Sequence, residues 1–240
     1  MPHLVAHWDL GSNHFKLIYM FFVGIDFSIN SPGICIIHND ITLWLSYSAG
    51  PKTKAEGVFM ESIAACHDVS FNRIQSTVFT QDSIDNYSEN EYQKINKYIQ
   101  RAGAIKSLIL DELVKLGYTE GNEVHFGFEG FSYGSNTNNI IDIAIATGFL
   151  KKELIDTFEN MTLSVLAPGT IKKSAGSGRY KKKEMYDVFV ENRHSDSKLA
   201  SSDFWNLCQS LRGAKKLFKP TDDLIDAYFI VNALRAIQLA

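Results

Sequence analysis

Four carboxylates offer the first hint of chemistry in this chain of 240 residues. Asp26 follows the apolar run Phe21-Phe22-Val23-Gly24-Ile25, so it stands in or at the end of a buried strand, where an ionised group needs a partner or a metal. Glu129 closes Val124-His125-Phe126-Gly127-Phe128 in the same way. Asp223 and Asp226 lie three apart in a helical pattern, so both point one way, and Ala227 keeps that face small. Each has a plainer reading. Asp26 could be a turn or capping residue ahead of Ser28-Ile29-Asn30, and the later pair could be first-turn acids favoured by the helix dipole. Taken together, carboxylates from two strands and one helix face could converge on one edge of a sheet. Such a cluster repels itself unless divalent cations sit in it. Two Mg²⁺ ions, with Mn²⁺ as a substitute, held about 3.5–4 Å apart are the arrangement that splits phosphodiesters by in-line attack of water.

Charge distribution points to a matching substrate. Net charge is -3, but residues 172–219 hold twelve Lys and Arg against five acids, so that segment is +7 and the remainder -10. A polyanion facing one region explains the asymmetry, and a solvated charged face is the bland alternative. Within the segment, Gly176-Ser177-Gly178 lets backbone N–H groups approach phosphate, while Lys172, Lys173, Arg179, Lys181, Lys182 and Lys183 supply the countercharge. Phe131 and Tyr133, just past Glu129, could stack on exposed bases or simply pack in a core.

The elements that must position these groups follow from periodicity. Phe21–Ile25, Gly33–Ile37 and Ile41–Tyr47 read as strands joined by Ser31-Pro32-Gly33 and Asn39-Asp40 turns, an antiparallel meander. Residues 49–90 read as a weakly patterned excursion with a short helix around 57–66. Glu91–Leu116 has helical spacing and is closed by Gly117. Glu123–Glu129 is a fourth strand, Thr137–Phe158 a helix, and Leu163–Leu166 a fifth strand ended by Pro168. Lys181–Asn192, 202–211 and Thr221–Leu239 read as helices, the last capped by Thr221. Hydrophobic residues at 45% and charged residues at 21% describe an ordinary globular chain. Three scattered cysteines (Cys35, Cys66, Cys208) argue against a disulfide framework or structural zinc and for a reducing compartment. No apolar run approaches the roughly 18–20 residues that span a bilayer. The expectation is a soluble cytoplasmic protein with no membrane partner.

Three hairpin strands followed by alternating helix and strand is the order of the ribonuclease H-like fold. The expected architecture is α/β, a mixed five-stranded sheet with helices on both faces. Residues 1–19 would be an arm, and 20–240 the domain, with insertions near 49–90 and 193–219. Four segments also resemble RuvC-type Holliday junction resolvases, most of all the versions encoded by bacteriophages. These are Gly24-Ile25-Asp26 with its Ser31-Pro32-Gly33 hairpin, the Phe128-Glu129-Gly130 segment, Val165-Leu166-Ala167-Pro168 with the glycines and lysines after it, and Asp223-Leu224-Ile225-Asp226-Ala227.

The resemblance implies a Mg²⁺-dependent endodeoxyribonuclease that resolves four-way or other branched DNA, leaves 5′-phosphate ends and acts as a homodimer through 91–116. It implies Asp26, Glu129, Asp223 and Asp226 as metal-binding catalytic acids and Lys182 or Lys183, of which we take Lys183, as the basic catalytic residue. Spacing alone admits Asp222 in place of Asp223. The resemblance favours Asp223 and leaves Asp222 to serve the helix N-terminus. A terminase-type packaging nuclease or a ribonuclease H of the same fold would use the same carboxylates on linear DNA or hybrids.

Overall fold

A computed structural model describes residues 5–6, 17–18, 20–48, 50–51, 53–73, 87–131, 137–192, 199–212 and 219–239. In chain order these form β1 (Val5–Ala6), β2 (Leu17–Ile18), β3 (Met20–Asp26), β4 (Gly33–His38), β5 (Ile41–Ser48), α1 (Lys54–Ala64), β6 (Val69–Arg73), α2 (Tyr87–Lys115) and β7 (Glu123–Glu129). There follow α3 (Thr137–Thr157), β8 (Met161–Leu166), α4 (Pro168–Ser174), α5 (Lys182–Val190), a 3-10 turn at Leu199–Ser201, α6 (Asp203–Ser210) and α7 (Thr221–Gln238). Among the described residues, the two short strands β1 and β2 pair with each other and form no part of the main sheet.

The main sheet runs β6-β5-β4-β3-β7-β8. β3, β4 and β5 are the expected antiparallel meander, and β7 and β8 continue the sheet in parallel from β3. The sheet has six strands rather than the expected five, because β6 adds parallel to β5. Val69-Ser70-Phe71-Asn72-Arg73 carries only two apolar residues, and an edge strand needs a partner more than a pattern. The other corrections are local. α4 occupies 168–174, opened by Pro168 in its first turn, where no element was expected, and the expected glycine-bearing loop at 176–178 follows it. Thr221 is the first residue of α7 and not its cap, since Pro220 holds that position and the Thr221 hydroxyl is buried without a partner.

Period-2 alternation splits the sheet into two faces with separate cores. Phe21, Val23, Ile25, Ile34, Ile36, Val124, Phe126 and Phe128 pack with Ala102, Ile105 and Ile109 of α2 and Leu150 and Leu154 of α3. Phe22, Cys35, Ile37 and Trp44 pack on the opposite face, with α7 and parts of α1, α4, α5 and α6. Cys35, Cys66 and Cys208 are buried free thiols. No described helix is long and apolar enough to cross a membrane.

Candidate active site

Where α7 crosses the sheet, the strands carry glycine. Gly24 of β3 and Gly127 of β7 are register partners. A Cβ at Gly24 would lie 2.4 Å from the Ala227 carbonyl oxygen and 2.6 Å from the Val231 nitrogen. One at Gly127 would meet Ile230 Cγ2 at 3.1 Å, and one at Gly33 would meet the Asp223 carbonyl oxygen at 2.2 Å. At Gly24 and Gly33 the helix backbone therefore rests on the strand with no side chain between them, while at Gly127 it packs through the Ile230 and Leu234 side chains.

The acids follow from that floor. Alternation puts Asp26 on the same face as Gly24 and Glu129 on the same face as Gly127, each two residues further toward the strand end. Gly33, register partner of Asp26, touches the backbone of Asp223. Asp226 precedes Ala227, which rests on Gly24. Two strand ends and the first turns of α7 thus deliver Asp26, Glu129, Asp223 and Asp226 to one place.

Their electrostatics register the crowding. Burial lifts Asp26 well above the ordinary carboxylate range, and the charges of Asp226, Asp223 and Glu129 add to the shift while Lys182 opposes it. Glu129 is raised by burial and by Asp226, against Lys182 and Lys172. Asp226 is raised by burial despite the ammonium of Lys182. Asp223, only 2% exposed, is pushed up to about 6 by burial and Asp222, with Lys219 pulling the other way.

Two lysines balance the cluster. Lys182 Nζ stands 3.0 Å from Asp226 Oδ2 and 3.1 Å from Asp222 Oδ2. Burial works against its charge, yet Asp226 and Asp222 hold its pKa well above the usual lysine value. Lys219 Nζ donates to both oxygens of Asp223, at 2.7 and 2.9 Å. Lys183, taken above as the basic catalytic residue, turns away instead. Its side chain is 80% exposed and it pairs with Asp187 one turn along α5. Asp222, assigned above to the helix end, shares Lys182 with Asp226. The lysine that reaches the acids is Lys182.

By donor type alone, the set suits a hard divalent cation. It consists of carboxylate oxygens alone, held above their ordinary pKa range by burial and mutual repulsion. Asp222 Oδ1 adds a buried oxygen without a hydrogen-bond partner. Among the described residues no three His, Cys, Asp or Glu side chains are gathered tightly enough to hold an ion, and the lysine ammonium groups carry the countercharge.

A cleft of about 210 Å³ opens beside the acids, lined by Asp26, Phe27, Glu129, Gly130, Phe131, Ile143 and Thr147. Phe131 is 47% exposed there, so it is a surface ring and not a core residue. Tyr133 lies outside the described residues. Lys173, Arg179 and Lys181 are exposed around α4 and the start of α5, and Lys172 is half-buried and acts on Glu129.

Sequence reasoning missed Lys219 as a site residue and the glycine floor. Both had signals. Lys219 stands four residues before Asp223, and each strand acid sits two residues after a glycine in a matching motif, Gly24-Ile25-Asp26 and Gly127-Phe128-Glu129.

No protein-family model and no curated protein sequence matches the chain. Among solved structures, the chain is similar to Thermus thermophilus RuvC at 14% identity and TM-score 0.45, over 91% of this chain and 96% of that one. The same protein in complex with a Holliday junction substrate aligns at 13% identity and TM-score 0.43, over 91% and 96%. The yeast mitochondrial Holliday junction resolvase Ydc2 aligns at 10% identity and TM-score 0.48, over 92% and 81%.

Proposed function

We propose that this chain is a divalent-metal-dependent endonuclease that resolves four-way or other branched DNA, leaving 5′-phosphate and 3′-hydroxyl ends. One observation carries the nuclease reading. Gly24 and Gly127 are paired in register beneath α7, so that Asp26 and Glu129 line one cleft and feel the charge of Asp226 on the helix.

Asp26, Glu129, Asp226 and Asp223 would hold Mg²⁺. When bound, the metal supplies an activated water and stabilises the leaving oxygen. The chain supplies the rest. Lys182, on Asp226 and Asp222, is placed to transfer its charge to a phosphate that approaches the acids. Lys172, Lys173, Arg179 and Lys181 neutralise the flanking backbone and so set the path of the strand. Phe131 offers a face for a base next to Glu129.

Selectivity for a junction is supported by the four motifs shared in order with RuvC-type resolvases. A two-fold-symmetric junction requires two cuts, hence a homodimer. The candidate interface is α2, which exposes Tyr92, Ile99 and Val114.

Single-turnover cleavage of a four-way junction, a linear duplex and an RNA–DNA hybrid, run in parallel with Mg²⁺, tests this. Preferential junction cutting is expected. Preferential duplex or hybrid cutting would replace the reading by a packaging nuclease or a ribonuclease H, and tight binding without cutting would leave a junction-binding module.

A further inference from the structure

A second, larger cleft adjoins the acidic one and has no part in the chemistry described so far. Its volume is about 580 Å³, within the roughly 300–1,000 Å³ of small-molecule sites. Ile143 of α3 lines both clefts. Lys219 lines the larger one as well, with its ammonium on Asp223. The cleft therefore begins where the catalytic acids end.

Its walls are built rather than incidental. One is the turn after Asp26, residues 28–31, held from behind by Arg101 of α2. That arginine is only 9% exposed, and its Nη1 donates to the Ile29 carbonyl at 2.6 Å and lies 3.4 Å from Asn30 Oδ1. No carboxylate is among the groups that act on its charge. A buried guanidinium set against backbone fixes the turn that follows the catalytic aspartate. The opposite wall is α1, through Glu56 and Met60.

The lining selects the class of ligand. Ile29, Met60 and Ile143 offer apolar faces, and Ser28, Asn30, Ser31 and Ser48 offer hydroxyl and amide edges. Ser31 is 7% exposed, and its hydroxyl, beneath the cleft surface, lacks a hydrogen-bond partner, a cost that a ligand reaching it would relieve. A phosphate does not suit the cleft, since the one cation among its described lining residues is already committed to Asp223 and Glu56 adds negative charge. A flat, uncharged group with apolar faces and hydrogen-bonding edges does.

We propose that this cleft takes a nucleobase unstacked from the DNA strand next to the scissile phosphate, and so decides where the strand is cut. The proposal rests on the nuclease reading above. Enzymes that hold an extruded base pay for unstacking with stacking contacts and edge hydrogen bonds, and the cleft supplies both within reach of the acids. Met60 and Ser31 are its specificity-determining residues.

The test uses full-length protein and junctions carrying 2-aminopurine, which brightens on leaving the base stack, at each nucleotide flanking the cut. Bound to the non-cutting variant Asp26→Asn, one position should brighten about threefold or more. Adding Met60→Trp, which fills the cleft, should abolish the brightening while junction affinity stays within about threefold. In cleaving protein, Met60→Trp and the milder Ser31→Ala should each broaden the distribution of cut sites, with a change of about tenfold in the preferred-to-disfavoured ratio. If wild-type protein cuts the junction but no flanking base brightens, or if both variants leave brightening and cut sites unchanged, the base site is wrong and the nuclease stands. If the protein neither binds nor cuts any of the DNAs, both fall together.

Discussion

The two faces of β3 do different work. Toward α2 and α3 it presents Phe21, Val23 and Ile25, all fully buried. That face packs side chain against side chain, as interiors generally do. Toward α7 it presents Phe22, Gly24 and Asp26, and the helix backbone approaches so closely that a methyl at Gly24 would fall 2.4 Å from a carbonyl oxygen. The first face supplies stability through volume. The second gives up volume to bring a helix within reach of the strand ends, and the acids of β3, β7 and α7 meet because of it. A site built from three elements requires their backbones to be close, and small residues are the means.

The sharpest way to break this contrast is to change adjacent residues on opposite faces. Asp26→Asn and Glu129→Gln should each lower Mg²⁺-dependent single-turnover cleavage by more than about 100-fold, above the loss typical of groups that merely support a metal ligand. Junction affinity should be nearly unchanged. Ile25→Val, next door on the other face, should cost about 0.5–1.5 kcal/mol in a denaturant melt and leave cleavage intact. Cleavage by either acid variant within tenfold of wild type would remove that residue from the site.

A second comparison separates neighbouring lysines. Lys182→Ala should slow cleavage by about 10–100-fold, the range for groups that position a metal site, because it strips Asp226 and Asp222 of their common partner. Lys183→Ala removes an exposed pair with Asp187, worth under about 0.5 kcal/mol, and should cut at the wild-type rate. The reverse result would restore Lys183 as the basic catalytic residue.

The same substitution should change sign between the glycine floor and a free helix face. Gly24→Ala drives a methyl into α7 and should destabilise by about 1–3 kcal/mol, with a matching loss of activity. Gly103→Ala in α2, where a Cβ meets nothing within 4 Å, should stabilise by about 0.4–1 kcal/mol. Equal effects in thermal melts would mean that α7 does not lie on the strand as described.

The smallest effect concerns pH. Asp26, Glu129, Asp226 and Asp223 have folded-state pKa values raised above their ordinary ones, Asp223 to about 6. Such groups bind protons more tightly folded than unfolded. The contribution of Asp223 to stability is fully present below about pH 4 and is lost as pH rises through about 6, and the other three act in the same direction. In EDTA, the melting temperature of wild-type protein should therefore fall across this window relative to Asp223→Asn. Mg²⁺ at pH 7 should restore it. A flat difference between the two proteins would mean that Asp223 ionises without hindrance.

Much of the fold was legible in the order of residues. Each of the five expected strands and six of the seven helices stand close to where periodicity put them, with β7 at Glu123–Glu129 as read and the last helix at Thr221–Gln238. These elements are local, since each needs only its own apolar spacing and its flanking turn residues. β6 and α4 escaped, one an edge strand whose partner lies across the intervening α1 and the other a helix of about two turns opened by Pro168. The candidate acids were also legible, because a carboxylate after five apolar residues is out of place wherever the chain goes. Which lysine serves them was not. Lys182 and Lys183 are adjacent and chemically identical, and only the docking of α5 against α7 turns one toward Asp226 and the other toward Asp187. The role of Asp222 was hidden for the same reason. Sequence by itself determined which groups are costly to bury. Tertiary structure decided which of them come together, because the distance between two side chains on separate elements depends on how the backbones pack, and here on Gly24 and Gly33, where strand and helix backbones touch.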